Sequence, residues 1–189
     1  MKELKELINF LLGFMPWLLF LFFSGRTFAS LERSIILGLL ASLIFGFKEL
    51  RRGFLLQWGT LIFFIFCVIA VDLIKSVWVA KSMGIISNGC LAGLIWGTIF
   101  VGKPFTLQYA RAELPKERWD DPVLFRSCRF MAVVWAILLT FLTLVACLRN
   151  LYPGIIPDWL NLGISITVIA GGIAFTSLYK KYKRNQSNS

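Results

Sequence analysis

The chain contains no histidine among its 189 residues, and charged residues make up only 16% of it. Histidine is the side chain most often used for proton transfer and metal binding near neutral pH, so its absence argues against an acid–base enzyme and a metal site. Soluble domains carry about 25% charged residues, so the charge content is also low for a protein surrounded by water.

Long apolar runs occupy most of the sequence, and hydrophobic residues make up 58% of it. A helix of about 20 residues crosses the roughly 30 Å hydrocarbon layer of a bilayer, whereas a transmembrane β-barrel needs alternating apolar sequence. We therefore predict an all-α fold, a polytopic transmembrane helical bundle. Its six spans are expected at about residues 7–23, 28–47, 54–71, 83–101, 127–148 and 159–179.

The first two spans are the least regular. The run Leu7–Phe23 could be a cleaved signal sequence with Thr27-Phe28-Ala29 at the cleavage site. It is longer than the usual apolar core of a signal and contains Pro16-Trp17, so we interpret it as a span. The second run is short, and it reaches membrane length only if Glu32 and Arg33 lie near the headgroups, where charged side chains can snorkel.

The positive charges predict the orientation of the bundle. With the N-terminus inside, only five of the 20 lysine and arginine residues fall outside, namely Arg26, Arg33, Lys75, Lys81 and Arg149. The positive-inside rule then places both termini in the cytoplasm, with residues 102–126 as a structured cytoplasmic loop and residues 180–189 as a basic, flexible tail. This topology and anionic lipid account for the net charge of +10, so no nucleic-acid partner is predicted.

The sequence offers no catalytic or metal-binding constellation. Its cysteines are spread singly along the chain, without a CxxC pair, at Cys67, Cys90, Cys128 and Cys147. Metal ligands require fitted spacing, and disulfides are not expected for thiols at membrane depth or in a reducing compartment. We interpret the cysteines as small apolar fillers, and we predict no catalytic residue, no metal and no cofactor.

Two spans carry small residues at four-residue steps. These are Gly38, Ser42 and Gly46 in the second span and Gly89, Gly93 and Gly97 in the fourth. Residues four apart share a helix face, and small residues let helix backbones approach closely in lipid. We predict that both faces are packing interfaces, although a sliding interface in a transporter would use the same pattern.

Few ionisable or polar residues lie within the spans, where they would indicate a transport path. Asp72 and Lys75 are three residues apart at the outer end of the third span, so we expect them to pair on one helix face. A polar cavity at mid-membrane, lined by Gln57, Ser165 or Thr167, would favour a transporter. A packed apolar interior would favour an interaction protein.

The longest polar stretch, GKPFTLQYARAELPKERWDD, begins at Gly102. Leu107, Ala110 and Leu114 recur on one face, which predicts a short amphipathic helix lying in the headgroup plane. Trp119 is expected to be an interfacial anchor, and Asp121-Pro122 predicts the N-cap and first residue of the next helix.

The charges of this stretch predict a structured surface that meets a ligand. Arginine's planar fork suits phosphates and carboxylates, so the surface could bind lipid phosphates, dock a protein, or only mark orientation. An enzyme would need a poised nucleophile–base pair, which Ser127, Cys128 and Tyr109 lack without histidine. The candidate lipid- or partner-binding residues are Lys103, Arg111, Trp119, Arg126 and Arg129.

The chain resembles the bacterial septation protein A family of small inner-membrane-spanning proteins. The resemblance covers most of the chain as a layout of six spans with both ends inside, and its residues are Lys103-Pro104-Phe105, Leu114-Pro115, Trp119 and Trp135. It implies a role in envelope synthesis or division through protein partners, and it supplies no catalytic residue.

We therefore expect a multi-pass protein of the bacterial inner membrane that acts through anionic phospholipids or other cell-envelope membrane proteins. The alternative is a small transporter or lipid-handling protein that uses the glycine-lined spans. An intramembrane enzyme has the least support.

Overall fold

The computed structural model describes the backbone of residues 2–25 and 27–187, and the side chains between residues 13 and 182 except those at 26, 113, 158 and 180. All regular secondary structure in these residues is helical, which confirms the all-α prediction. The α-helices are α1 (Lys2–Phe23), α2 (Phe28–Ile44), α3 (Phe47–Arg51), α4 (Leu55–Cys67), α5 (Val77–Lys81), α6 (Met83–Phe100), α7 (Phe105–Glu113), α8 (Pro122–Leu151) and α9 (Asp158–Ser187). A π-helix (Val68–Leu73) continues α4, and a 3-10 turn (Lys116–Arg118) precedes α8.

Four helical stretches are long and apolar enough to cross a membrane: Leu55–Leu73, Met83–Phe100, Pro122–Leu151 and Trp159–Tyr179. They match the third to sixth predicted spans and indicate a membrane protein. α2 has only 17 residues, and the described apolar part of α1 is Gly13–Phe23. The first two spans, and the cytoplasmic placement of the termini, therefore stay predictions.

α9 differs from its prediction at the C-terminal end. The helix continues to Ser187, whereas we expected a flexible tail from residue 180. Lysine, arginine and glutamine are good helix formers, so a basic composition does not by itself end a helix. The side chains of this extension lie largely outside the described residues.

The helices pack in a chain of neighbours. α1 packs along α2, α2 along α4, α4 against α6, and α6 along α8, while α9 packs on α8. Aromatic rings fill the junction of α1 and α4, where Trp17 stacks on Phe63 at 4.8 Å between ring centroids. The Trp17 indole also donates a hydrogen bond to Thr60 Oγ1 at 3.0 Å, so these two buried polar groups are paired with each other.

Large apolar side chains cover the outside of the bundle. Ile62, Phe100 and Leu144 are among many whose exposed fraction exceeds half. Monomeric soluble proteins rarely expose such continuous apolar surface, whereas hydrocarbon surrounds it without cost. The surface composition therefore agrees with the apolar length of the helices.

The small-residue face of α2 packs closely against α4. Gly38 and Ser42 are buried, and a Cβ at Gly38 would lie within 3.0 Å of three carbons of the Phe64 ring. A Cβ at Gly46 would collide with the side-chain amide of Gln57. At these positions the absence of a side chain is what admits the neighbouring helix.

The face predicted on α6 does not pack in the same way. A Cβ at Gly89 would make ordinary contact with Thr143 at 3.5 Å, but one at Gly93 or Gly97 would meet nothing within 4 Å. Gly93 and Gly97 are exposed. The packing role predicted for these two residues is therefore wrong within this chain, since the buried side of α6 instead carries larger side chains, including Leu91 and Ile95.

Candidate functional site

The polar stretch between α6 and α8 folds onto one end of the bundle. Phe105 is fully buried and Leu107 is 4% exposed. Thr106 Oγ1 donates a hydrogen bond to the Cys128 carbonyl of α8 at 2.6 Å. Gln108 Oε1 accepts one from the Leu55 amide, at the start of α4, at 3.0 Å. We call residues 105–129, which comprise α7, the 3-10 turn and the first turns of α8, the loop platform.

This docking gives α7 a protein partner that was not predicted from the sequence, while its placement in the headgroup plane stays a prediction. α7 contacts protein on two sides: Leu107 of the predicted apolar face is buried, and Phe105 and Tyr109 pack from another side of the helix. Tyr109 packs edge-on against Phe54 at 5.0 Å and against Phe105 at 6.5 Å between ring centroids. This aromatic pair was not predicted from the sequence, although its i, i+4 spacing places both rings on one helix face.

Tyr109 also ties α7 to α1. A Cβ at Gly13 would collide with the Tyr109 ring and hydroxyl, so the glycine leaves the space that the phenol occupies. Burial, and secondarily the nearby Glu49, raises the pKa of the Tyr109 phenol well above its usual value. The side chain is therefore neutral at physiological pH, as its apolar surroundings require.

Arg111 and Trp119 hold the loop platform together. Arg111 Nη2 and Nε donate hydrogen bonds to the Trp119 carbonyl at 2.8 and 3.2 Å, and the guanidinium carbon lies 5.9 Å from the centroid of the Trp119 ring. The Trp119 indole in turn donates to the Leu114 carbonyl at 3.1 Å. Both residues were predicted to bind lipid or a partner, but these contacts are internal to the loop.

The start of α8 agrees with its prediction. Asp121 Oδ1 accepts a hydrogen bond from the Val123 amide at 2.8 Å, and Pro122 is the first helical residue. This cap sets the direction in which α8 leaves the loop platform. The other three predicted ligand-binding residues, Lys103, Arg126 and Arg129, are exposed on the same end of the bundle, as are Lys116 and Arg118.

At the opposite end, Asp72 and Lys75 do not form the predicted pair. Lys75 Nζ instead forms an ion pair with Glu32 of α2 and lies 5.9 Å from the centroid of the Phe28 ring. The i, i+3 expectation assumed an α-helix, but residues 68–73 are π-helical and Lys75 has a φ of 56°, so the register changes. Among the described residues Asp72 Oδ2 is buried and has no hydrogen-bond partner.

The polar residues considered for a transport path are dispersed. Gln57 is fully buried and its amide donates to the Ser42 carbonyl at 3.4 Å. Ser165 Oγ donates to the Asn161 carbonyl within α9 at 2.9 Å, and Thr167 is exposed. The interior pocket formed by α1, α6, α8 and α9 measures only about 60 Å³, and its lining is apolar, including Trp17, Leu91, Leu139 and Ile173.

Comparison with protein-family models, with curated proteins and with solved structures gives no match for this chain. The family resemblance therefore rests on the motifs alone.

Proposed function

We propose that the chain is a multi-pass protein of the bacterial inner membrane, acting in the cell envelope by interaction rather than by catalysis. Its ligand on the loop-platform side is anionic phospholipid, and partners in envelope synthesis or division would meet the same surface. The apolar length of α4, α6, α8 and α9 supports residence in a membrane. The small apolar interior pocket supports an interaction protein over the transporter alternative, which would need a polar path.

The observation that carries this proposal is that exposed basic side chains stand on a docked loop. Orientation by the positive-inside rule requires charges near the ends of the spans, but it requires no tertiary structure between them. Here Phe105 is fully buried and Thr106 is bonded to α8, so the loop is built into the bundle. A fixed array of lysine and arginine side chains is preorganised for phosphates.

We divide the predicted binding residues into two groups by their contacts and exposure. Arg111 and Trp119 maintain the loop platform through their bonds to loop carbonyls. Lys103, Arg126 and Arg129 are exposed, and we assign the binding of anionic phospholipid to them. Basic residues near an anionic membrane surface contribute about 1 kcal/mol each, so a pair of them is worth roughly a thirtyfold change in occupancy.

The test compares two double variants that remove equal charge. Lys103→Gln/Arg129→Gln acts on the loop-platform end, and Arg33→Gln/Lys81→Gln removes two exposed charges from the other end. Bound phosphatidylglycerol is measured by native mass spectrometry of purified protein at fixed salt. We expect a loss of about thirtyfold for the first variant and little change for the second. Equal losses, or no loss in either, would contradict the proposal.

A further inference from the structure

A groove of about 290 Å³ opens on the loop platform, between the 3-10 turn and the first turns of α8. It differs from the exposed lysine and arginine positions near it, because carboxylates and guanidiniums line it together. Its lining residues are Arg111, Trp119, Asp120, Asp121, Pro122, Phe125 and Arg126. Two of these are basic and two are acidic, so the lining has no net charge.

One wall of the groove is the first turn of α8. Pro122, Phe125 and Arg126 are spaced i, i+3 and i+4, which places them on one face of the helix. Asp121 Oδ1 caps the helix through the Val123 amide at 2.8 Å. This hydrogen bond uses one of the two carboxylate oxygens of Asp121, so the other oxygen can accept a hydrogen bond from a ligand.

The other wall is held in place by Arg111. Arg111 Nη2 donates a hydrogen bond to the Trp119 carbonyl at 2.8 Å and lies 3.6 Å from Asp120 Oδ1. The Asp120 side chain is 99% exposed, so it can turn toward a ligand at little cost. Trp119 contributes an indole face, which attracts a cation electrostatically.

These groups together fit a ligand that carries both charges. Arginine binds phosphate oxygens through its planar fork, while two carboxylates and an indole favour an ammonium group. The volume is at the lower end of small-molecule pockets, which measure roughly 300–1,000 Å³, so it admits a headgroup-sized molecule. An anionic headgroup without an ammonium would leave both aspartates facing like charge.

We propose that the groove binds the zwitterionic headgroup of a phosphoethanolamine lipid. The phosphate meets Arg126, with Arg111 behind it, and the primary ammonium meets Asp120, Asp121 and Trp119. A primary ammonium donates hydrogen bonds to the carboxylates, whereas the trimethylated ammonium of phosphatidylcholine has no hydrogen to donate. The site therefore discriminates between two lipids of equal net charge. This inference rests on the proposed function, because it requires the loop platform to lie at a membrane surface.

The experiment measures lipid binding to the purified full chain by native mass spectrometry. Phosphatidylethanolamine, phosphatidylcholine and phosphatidylglycerol are added separately. Arg126→Gln and Asp121→Asn each remove one charge from the groove, and asparagine keeps the helix cap. Arg118→Gln is the matched control, since Arg118 is exposed on the 3-10 turn but does not line the groove.

We expect phosphatidylethanolamine to bind at least tenfold more tightly than phosphatidylcholine, and each groove variant to lose about tenfold, the effect of one charge-assisted hydrogen bond. The control should keep wild-type affinity for phosphatidylethanolamine. Soluble glycerophosphoethanolamine should compete, which shows that the headgroup rather than the acyl chains is recognised. Equal binding of the two zwitterionic lipids, unchanged binding in both groove variants, or failure of the soluble headgroup to compete would overturn the assignment.

These outcomes are separable from those of the proposed function. If phosphatidylglycerol binding still depends on Lys103 and Arg129 while the ethanolamine preference is absent, only the groove assignment fails. If no lipid binding depends on any of these side chains in a folded protein, both proposals fail.

Discussion

Replacing Gly38 with alanine tests the closest approach between two helices in the bundle. The added methyl group would lie within 3.0 Å of three carbons of the Phe64 ring, where real carbon contacts are about 3.5–4.0 Å. Phe64 is fully buried. Its ring centroid lies 5.2 Å from that of Phe63, 5.5 Å from Trp17 and 5.9 Å from Phe20. The ring therefore has aromatic neighbours on several sides, and α2 and α4 must separate.

The expected cost follows from this confinement. Adding a methylene-sized group to a well-packed interior costs about 1–3 kcal/mol, and about 1 kcal/mol lowers Tm by roughly 2–4 °C in a chain of this length. We expect Gly38→Ala to lower the apparent Tm by about 4–8 °C. Phe64→Leu in the same chain should restore part of the loss, because a smaller side chain relieves the collision.

Gly93→Ala is the matched control. It adds the same methyl group to α6, where nothing lies within 4 Å, and alanine is favoured over glycine within a helix. Its Tm should equal or exceed that of the wild type in thermal unfolding of purified protein in one detergent. If Gly38→Ala and Gly93→Ala have the same Tm, the close packing of α2 on α4 is not present in the protein.

Three further predictions concern single contacts. Lys75→Gly and Lys75→Ala both lose the ion pair with Glu32, but only glycine adopts the positive φ without strain. Lys75→Gly should therefore be more stable than Lys75→Ala by about 1 kcal/mol, and equal Tm values for the two variants would argue against a left-handed residue there. Thr106→Val removes the hydrogen bond to the Cys128 carbonyl, which is worth about 1 kcal/mol. The backbone amides of α7 should then exchange hydrogen about fivefold faster, and an unchanged exchange rate would show that apolar contacts alone hold α7 in place. Burial raises the pKa of Tyr109, so its contribution to stability is present below the unfolded pKa of about 10 and is lost as pH rises above it. Tyr109→Phe should therefore flatten the alkaline fall in Tm, and an identical fall in both proteins would refute this linkage.

The four long helices were predictable from the sequence because a backbone inside lipid has few stable conformations. Each spanning segment must satisfy its hydrogen bonds internally, so length and continuous apolarity suffice to locate it. The predicted fourth span, 83–101, differs by one residue from α6, which is Met83–Phe100. The Asp121-Pro122 start of α8 was equally predictable, because a helix cap depends only on adjacent residues.

Contacts between residues far apart in the chain could not be predicted from local sequence patterns. Lys75 pairs with Glu32 across 43 positions, and the local spacing favoured Asp72 instead. Small residues at four-residue steps gave the same signal in α2 and α6, but only the neighbouring helix decides whether such a face is covered.

The loop platform was also predictable only in part. Its amphipathic helix was predictable from the spacing of its apolar residues, but the partner of that apolar face was not. Gly13 of α1, Phe54 just before α4 and Cys128 of α8 receive α7, and the spacing of residues within α7 does not indicate any of them.

The placement of the loop platform at the cytoplasmic surface is tested most directly by cysteine labelling. Lys116 and Lys81 are exposed on the 3-10 turn and on α5, and each is changed to cysteine in a chain whose four native cysteines are replaced. In intact cells, a membrane-impermeant thiol reagent should label the cysteine at 81 and leave the one at 116 unlabelled until the membrane is disrupted. Labelling of the cysteine at 116 in intact cells would contradict the orientation on which lipid binding by this surface depends.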